Sequence, residues 1–493
     1  MPRLPPSLFR HAGRISTYLA TLLPVCRTIE SAQLELRWIR QHVNAAVEEK
    51  AQRNSRAGIG ARSPRRHRLS ECESSRIRRE RRLSGAGAEA GVGACAAREL
   101  KEDTIARLVA RRGAGEPLQY VLGSQPFGDL EILCEKGVLI PRSETEAWVS
   151  RLADIIFSSP PSKQIHPSSP RDDGRNRSEA VGGLRILDLC SGTGCISLGL
   201  YARGVEDFRR RRRVMEKMGR DREKEEEEEG VGGEKPLPVR VFGFDVEPRA
   251  VRLAKRNFEH NFRGEANAPS NSRYNFLASE QMIHRGDVAF QQADIFTDEW
   301  MSYLNEADDE EIQTSQQDEN EVNARHRSPR VDVLVSNPPY ISQRGFEVDT
   351  ARSVRNYEPK LALVPLPPPA APSTTPCASE DIFYKRLLEL ADTLRPRVAA
   401  FEVGDMKQAI RVVEMVFARS TAQQQQEQQQ HLDPDVTELR SQTGARWDIV
   451  EIWRDSPDSR PLDSEEDAIV VCEKEVPVRG AGHGRVVFLK SAG

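Results

Sequence analysis

Apolar residues in the second half of the chain fall into short runs set apart by stretches with helical spacing. LRILDL (184–189), VRVFGFD (239–245), VAFQQAD (288–294), VDVLVSN (331–337), RVAAFEV (397–403), WDIVEIW (447–453) and VVFLK (486–490) each read as a strand. A helix-like CISLGLYA segment follows the first run, and Pro248 opens a helix through Asn257 after the second. Strands alternating with helices predict an α/β fold built on a doubly wound, mostly parallel sheet.

The first half is patterned differently. Residues 16–49 carry apolar side chains at helical intervals: Leu19, Leu22 and Leu23, then Leu34, Leu36, Trp38, Ile39 and Val43. Ile105, Leu108 and Val109 continue the pattern up to Gly113. We expect a small N-terminal helical domain over 16–112, a hairpin-bearing connector over 113–150, and the α/β domain over 151–493.

Composition changes the picture in one respect. With 30% charged residues and a mean hydropathy of −0.59, the chain is too polar to be one compact globule of 493 residues. The excess sits in segments 51–95, 158–182, 206–238, 302–330, 364–378 and 420–445, rich in Arg, Ser, Pro, Glu or Gln, which we read as disordered insertions between elements. Their Arg clusters, five in a row at 209–213, could touch RNA or face solvent. The net charge of −3 says little, because the charges lie in blocks. No apolar run approaches the roughly 18–20 residues of a membrane helix, which excludes an integral membrane protein of that kind. Eight Cys without a CxxC pair and nine His without finger spacing point to reduced thiols and no metal site. Residues 1–15 hold Arg3, Arg10 and Arg14, and no acid precedes Glu30, a composition that fits a mitochondrial transit peptide and an ordinary basic tail equally. Pro2, Pro5 and Pro6 are expected to interrupt its amphipathic helix.

Candidate chemistry gathers at strand ends. The first strand of the α/β region runs into Asp188-Leu-Cys190-Ser191-Gly192-Thr193-Gly194. Glycines there let the backbone approach a ligand where a helix begins, although such turns also serve to pack a strand on a helix. In nucleotide-binding βαβ units an acid lies about 20 residues beyond the glycine loop, where it binds ribose hydroxyls. Gly194 and Asp245 are 51 positions apart, and setting aside the 33 residues of 206–238 leaves 18. Asp294 follows the third strand, where it could accept from an adenine amino group; nearby Asp287 reads as a turn residue. The third glycine of the dinucleotide fingerprint is missing, so a smaller adenosine cofactor is expected.

The fourth strand ends in Asn337-Pro338-Pro339-Tyr340. Two prolines fix the backbone and leave carbonyls free to accept, Asn337 offers an acceptor and donors, and Tyr340 offers a flat face. This tetrapeptide resembles that of methyltransferases acting on planar amide or amino nitrogens, and DLCSGTG resembles their cofactor loop. Gly115-Glu-Pro-Leu-Gln-Tyr120, Leu139-Ile-Pro-Arg-Ser-Glu-Thr-Glu146 and Arg355-Asn-Tyr-Glu-Pro359 narrow the resemblance to the protein-(glutamine-N5) methyltransferases of peptide-chain release factors, HemK type, in their mitochondrial and bacterial branch. Three departures stand out: Ser143-Glu144 where the family has Pro-Asp, Cys190-Ser191 where it has Gly-Thr, and Ala378-Ser-Glu-Asp-Ile382 in place of a Gly-rich stretch.

The resemblance implies a class I S-adenosylmethionine-dependent methyltransferase fold. It further implies S-adenosylmethionine as cofactor, held by Asp188, Cys190, Ser191, Gly192, Thr193, Gly194, Asp245, Asp294 and Asn337. Asn337, Pro338, Pro339 and Tyr340 would be the catalytic residues. The implied substrate is the glutamine of a release factor's GGQ loop, methylated by a monomer in the mitochondrial matrix with no membrane and no obligate nucleic acid. An adenine-N6 methyltransferase on DNA or RNA would use a similar tetrapeptide, but it needs a basic target-recognition face, and the basic blocks lie in the insertions. A non-catalytic RNA-binding protein would have no use for an intact NPPY and glycine loop.

Overall fold

The computed structural model describes residues 3–59, 86–157, 183–222, 239–262, 287–304, 330–366, 378–430 and 447–491. They fall into two compact units: Met1–Gly123 with Arg352–Tyr357, and Ser124–Ala351 with Glu358–Gly493. The boundary at 123/124 lies inside the stretch read as a connector. Among the described residues no helix is long and apolar enough to cross a membrane.

The first unit is helical, with α1 (Pro6–Ile15), α2 (Thr17–Cys26), α3 (Ile29–Ile59), α4 (Ala86–Gly113) and α5 (Leu118–Leu122). Pro5 and Pro6, expected from sequence to interrupt a helix, instead start one. Pro6 stands in the first turn, where its missing N–H would have had no partner, and Ala12 of the same helix is fully buried. On α3 the buried face is Ala32, Leu36, Ile39 and Val43, while Leu34 and Trp38 point outward. Arg112 of α4 grips Glu35 of α3 through two bonds of 2.6 and 2.8 Å.

The second unit opens with the expected hairpin, β1 (Ser124–Phe127) and β2 (Leu130–Leu133), followed by α6 (Ser143–Phe157). Then come β3 (Leu184–Leu189), α7 (Cys195–Arg222), β4 (Val239–Asp245), α8 (Pro248–Phe262), β5 (Val288–Gln292) and β6 (Val333–Ser336). Next are α9 (Gln343–Val348), α10 (Arg352–Tyr357, which groups with the first unit), α11 (Ile382–Leu394), β7 (Val398–Glu402) and α12 (Met406–Gln430). The chain closes with β8 (Ile449–Ser456), β9 (Ala468–Val471), β10 (Lys474–Arg479) and β11 (Ala481–Lys490). The β9–β10 hairpin was not foreseen from sequence.

Nine strands form one sheet in the order β5-β4-β3-β6-β7-β11-β8-β10-β9. The strands from β5 to β7 are parallel, and β11 enters antiparallel between β7 and β8. Helices cover both faces. Ile186, Val241 and Val335 meet α6, α7 and α8 on one side; Leu187, Phe244 and Leu334 meet α11 and α12 on the other. Burial on both faces explains why β6 reads as an apolar run over Val333–Val335, and why even Arg185 and Asp188 of β3 are buried.

Several segments read as disordered insertions are helical where the structure describes them. Helix α3 runs on to Ile59, α4 begins at Ala86, α7 continues to Arg222 and α12 to Gln430. Arg, Glu, Gln and Ala are good helix formers, so a helix anchored at one end by the core extends into a polar tract. Low hydrophobicity excludes a core; it does not exclude a helix. Leu304 and Val364, inside two other such segments, are buried core residues. Segment 158–182 lies outside the described residues, as do 60–85, 223–238, 305–329, 367–377 and 431–446.

Candidate active site

The parallel register puts the carboxyl ends of β3, β4, β5 and β6 side by side. Leu189 pairs with both Phe244 and Ser336, and Asp245 pairs with Gln292. The order reverses at β3, whose neighbours are β4 and β6, and a crevice outside such a switch point is where open α/β sheets bind ligands.

The glycine loop leaves β3 here. Ser191 N–H donates to Phe244 O at 3.0 Å, and Gly192 N–H donates to Asp245 Oδ2 at 2.8 Å, which fastens the turn to β4. Cys190 (φ 63°), Gly192 (φ 55°) and Gly194 (φ 78°) all have left-handed backbones, unusual for the cysteine. The two glycines differ in role. A Cβ on Gly192 would meet nothing within 4 Å, whereas one on Gly194 would lie 2.9 Å from Phe290 Cζ and 3.1 Å from Ala254 Cβ. Gly192 faces open space, and Gly194 packs the loop onto β5 and α8. Asn257 of α8, fully buried, donates to Thr193 O at 2.9 Å and accepts from Leu133 N–H at 2.7 Å, so it ties the loop to the hairpin.

The acids sit as follows. Asp188 is fully buried, and its Oδ2 accepts from the Ser197 hydroxyl (2.6 Å) and amide (3.2 Å). Its Oδ1 has no partner among the described residues, nor does the buried Ser191 Oγ. Burial pushes the Asp188 carboxyl up to about 7 against the pull of Ser197. Asp245 Oδ1 accepts from Glu247 N–H at 2.9 Å, and burial raises this acid too. Asp294 is exposed beyond the end of β5, its Oδ1 capping Phe296 N–H at 3.0 Å. The Cys190 thiol is held well above its usual range by burial and then by the charges of Asp245 and Asp188, with Asp294 adding a smaller push. Asp287, outside this group, accepts from the Tyr201 hydroxyl at 3.1 Å.

β6 delivers the tetrapeptide. The Ser336 hydroxyl donates to Leu189 O at 2.7 Å, joining the root of this loop to the root of the glycine loop. Pro338 and Pro339 are buried, and Asn337 and Tyr340 are half-buried. Among the described residues nothing holds the Asn337 side-chain amide or the Pro338 carbonyl. The Tyr340 hydroxyl donates to Glu402 Oε1 at 3.2 Å, and Gln408 Nε2 donates to Tyr340 O at 3.3 Å. Farther along, Glu358 accepts from Ile140 N–H at 3.2 Å and takes two bonds from Arg142 at 2.8 and 2.9 Å. The motif around Leu139–Glu146 is thus tied to the one ending at Pro359. Sequence reading singled out neither Asn257, Gln408 nor Glu402; all three are polar residues buried by contacts remote in the chain. Among the described residues no group of His, Cys, Asp or Glu could hold a metal ion.

A sheet ordered β5-β4-β3-β6-β7-β11-β8 with β11 antiparallel, a glycine loop after β3 and an acid ending β4 define a class I S-adenosylmethionine-dependent methyltransferase fold. No family model matches the chain. The mitochondrial MRF1 N(5)-glutamine methyltransferase MTQ1 of Saccharomyces cerevisiae is 26% identical over 365 residues, covering 74% of this chain and 68% of that one. The "Probable MRF1 mitochondrial N(5)-glutamine methyltransferase mtq1" of Schizosaccharomyces pombe is 29% identical over 316 residues, 62% of this chain and 69% of that one. The release factor glutamine methyltransferase of Pasteurella multocida is 28% identical over 266 residues, 54% and 59%. The chain is thus similar over most of its length to release factor glutamine methyltransferases, and the family resemblance carried by its motifs is borne out.

Proposed function

We propose that this protein is a protein-(glutamine-N5) methyltransferase that methylates the side-chain amide of the GGQ glutamine in a peptide-chain release factor, supporting translation termination. The observation that carries the reading is the state of the NPPY loop. The Asn337 amide and the Pro338 carbonyl have no partners among the described residues, and Ser336 joins their strand end directly to the glycine loop. A primary amide has two N–H hydrogens in one plane. The Asn337 side-chain oxygen and the Pro338 carbonyl accept them, while the Tyr340 ring packs on the amide face. This holds the nitrogen in one orientation, and positioning is most of what in-line displacement needs.

The cofactor we propose is S-adenosylmethionine, which when bound supplies an electrophilic methyl group on a sulfonium sulfur. The residues fit it. Asp188 Oδ1 and Ser191 Oγ are buried polar atoms without partners, and Gly192 leaves open space where a side chain would otherwise stand. Asp188, Cys190, Ser191, Gly192, Thr193 and Gly194 would line the methionine and ribose end. Asp245 would take the ribose hydroxyls and Asp294 the adenine amino group, with Asn337 at the junction. One chain supplies every group named, so a monomer suffices, and no membrane or nucleic acid is needed. The helical unit runs on through α5 to Gly123 rather than ending at residue 112, and the methyltransferase domain we propose is the unit that begins at Ser124. The location we propose is the mitochondrial matrix, supported by the acid-free N-terminus and by the mitochondrial names of the two yeast relatives.

The test is methyl transfer from radiolabelled S-adenosylmethionine by the purified full-length protein, offered in parallel a release factor, adenine-containing DNA and ribosomal RNA. Label on the GGQ glutamine alone is expected. Label on adenine would overturn the reading in favour of a nucleic-acid enzyme.

A further inference from the structure

Glu402 ends β7 and is 1% exposed. Its Oε2 accepts from Thr145 Oγ1 at 2.6 Å and from Trp148 Nε1 at 2.8 Å, both on α6; its Oε1 accepts from the Tyr340 hydroxyl at 3.2 Å. One buried carboxylate thus receives three donors, two from α6 and one from the loop after β6, and the methyl-transfer chemistry gives it nothing to do. Leaving a carboxylate out of water is costly unless its oxygens are satisfied. Burial does raise its proton affinity, opposed by these donors and by the charge of Arg485.

We propose that Glu402 is a positioning residue that fixes Tyr340, and through Tyr340 the spacing between the Asn337 amide and the Pro338 carbonyl. The proposal rests on reading 337–340 as the acceptor site. The loop is pinned at both ends. At its start, Ser336 is bonded to Leu189 O. At its end, Tyr340 is held twice: its hydroxyl by Glu402 and its backbone carbonyl by Gln408, with the ring edge beside Gly404, where any side chain would crowd it (an added Cβ would lie 3.1 Å from Cδ2). Gln408 completes the clamp by accepting from Gly404 N–H at 2.8 Å. Between the pins stand two prolines whose φ angles are set by their rings. Little freedom remains for Asn337 and Pro338, provided Tyr340 stays on its carboxylate. Displacement of reacting groups by about 1 Å can cost on the order of a hundredfold in rate, so a residue that touches no substrate can still govern turnover.

Glu402→Gln keeps an acceptor for Thr145 and Trp148 and changes the group facing Tyr340; Tyr340→Phe removes the hydroxyl and keeps the ring. On the full-length protein with a release factor, each single variant is expected to lower kcat by roughly tenfold or more. The Kd for S-adenosylmethionine should stay within about threefold. If Glu402 acts through Tyr340, the double variant is scarcely worse than either single one, a non-additivity that a merely structural role would not produce. A second measurement does not depend on turnover. With 3-fluorotyrosine placed at Tyr340, the fluorine resonance is expected to shift or split in Glu402→Gln. Additive losses, or an unchanged fluorine resonance, would overturn the role of Glu402. A parent protein that leaves release-factor glutamine unmethylated would overturn the proposed function instead, and the resonance would still decide the role of Glu402.

Discussion

Asn337 and Asp245 divide the work of the candidate site, and their replacements should separate it. Asn337→Ala removes an acceptor for the substrate amide, so kcat is expected to fall at least a hundredfold while cofactor affinity, measured by calorimetry, falls only modestly. Asp245→Ala does the reverse. It removes charge-assisted bonds to the ribose, roughly 1.5–3 kcal/mol, and also frees the Gly192 amide it now holds at 2.8 Å. Cofactor affinity should fall tenfold or more. Asp188 makes a pH prediction. With its carboxyl pushed up to about 7 by burial, it is neutral in the empty protein below that pH, whereas in the unfolded chain it ionises near the ordinary 3.8. The folded state holds the extra proton between those values, so this group's contribution to stability is full below about 3.8, declines as pH rises to about 7, and is constant beyond. A cationic ligand end favours the ionised form. Affinity for S-adenosylmethionine should therefore rise from pH 5 to about 7 and then level off, as titration calorimetry can measure. A flat profile would remove Asp188 from the cofactor's cationic end.

At the scale of elements, the loop after β3 carries two glycines with similar angles and different duties. Gly194→Ala would drive a Cβ into Phe290 and Ala254, so it should destabilise the fold by about 1–3 kcal/mol, read as a fall in melting temperature. Gly192→Ala meets no protein atom. Beyond a left-handed backbone cost of roughly 1–2 kcal/mol, its effect should appear as lost cofactor affinity. Helix α7 makes the opposite point about sequence. Its polar end still engages the body through Arg211, which donates to Phe157 O at 3.3 Å and is paired with Asp207 of the same helix at 2.6 Å. Removing 215–236, past those contacts, should leave methyl transfer within about twofold, because loop closure grows only with the logarithm of length. Loss of folding in that deletion would show that the segment carries a core contact. The motifs at strand ends were legible because strand and turn chemistry is local. The helical continuations were not, because a polar helix and a polar loop share a composition and differ in what anchors one end.

At the scale of the molecule, the proposed location is tested by one experiment. A fluorescent fusion to residues 1–50 is expected in mitochondria, and a cytosolic fusion with a cytosolic full-length protein would contradict it. The alternation of β and α, and the strand ends that bear Asp188, Asp245 and Asn337, were legible in the sequence alone; the spacing from glycine loop to acid was not, because residues 206–222 of the supposed insertion are helix. The legible features are short-range properties: runs of a few residues with period 2 or 3.6, and turns made by glycine and proline. It took the folded chain to show that β11 enters between β7 and β8, that Gly192 faces space while Gly194 faces Phe290, and that Glu402 meets Tyr340, Trp148 and Thr145. Those partners lie 62, 254 and 257 positions from Glu402 along the chain. A buried carboxylate in an apolar strand reads from sequence only as a polar residue out of place, and its meaning comes from donors that the folded sheet and α6 bring to it.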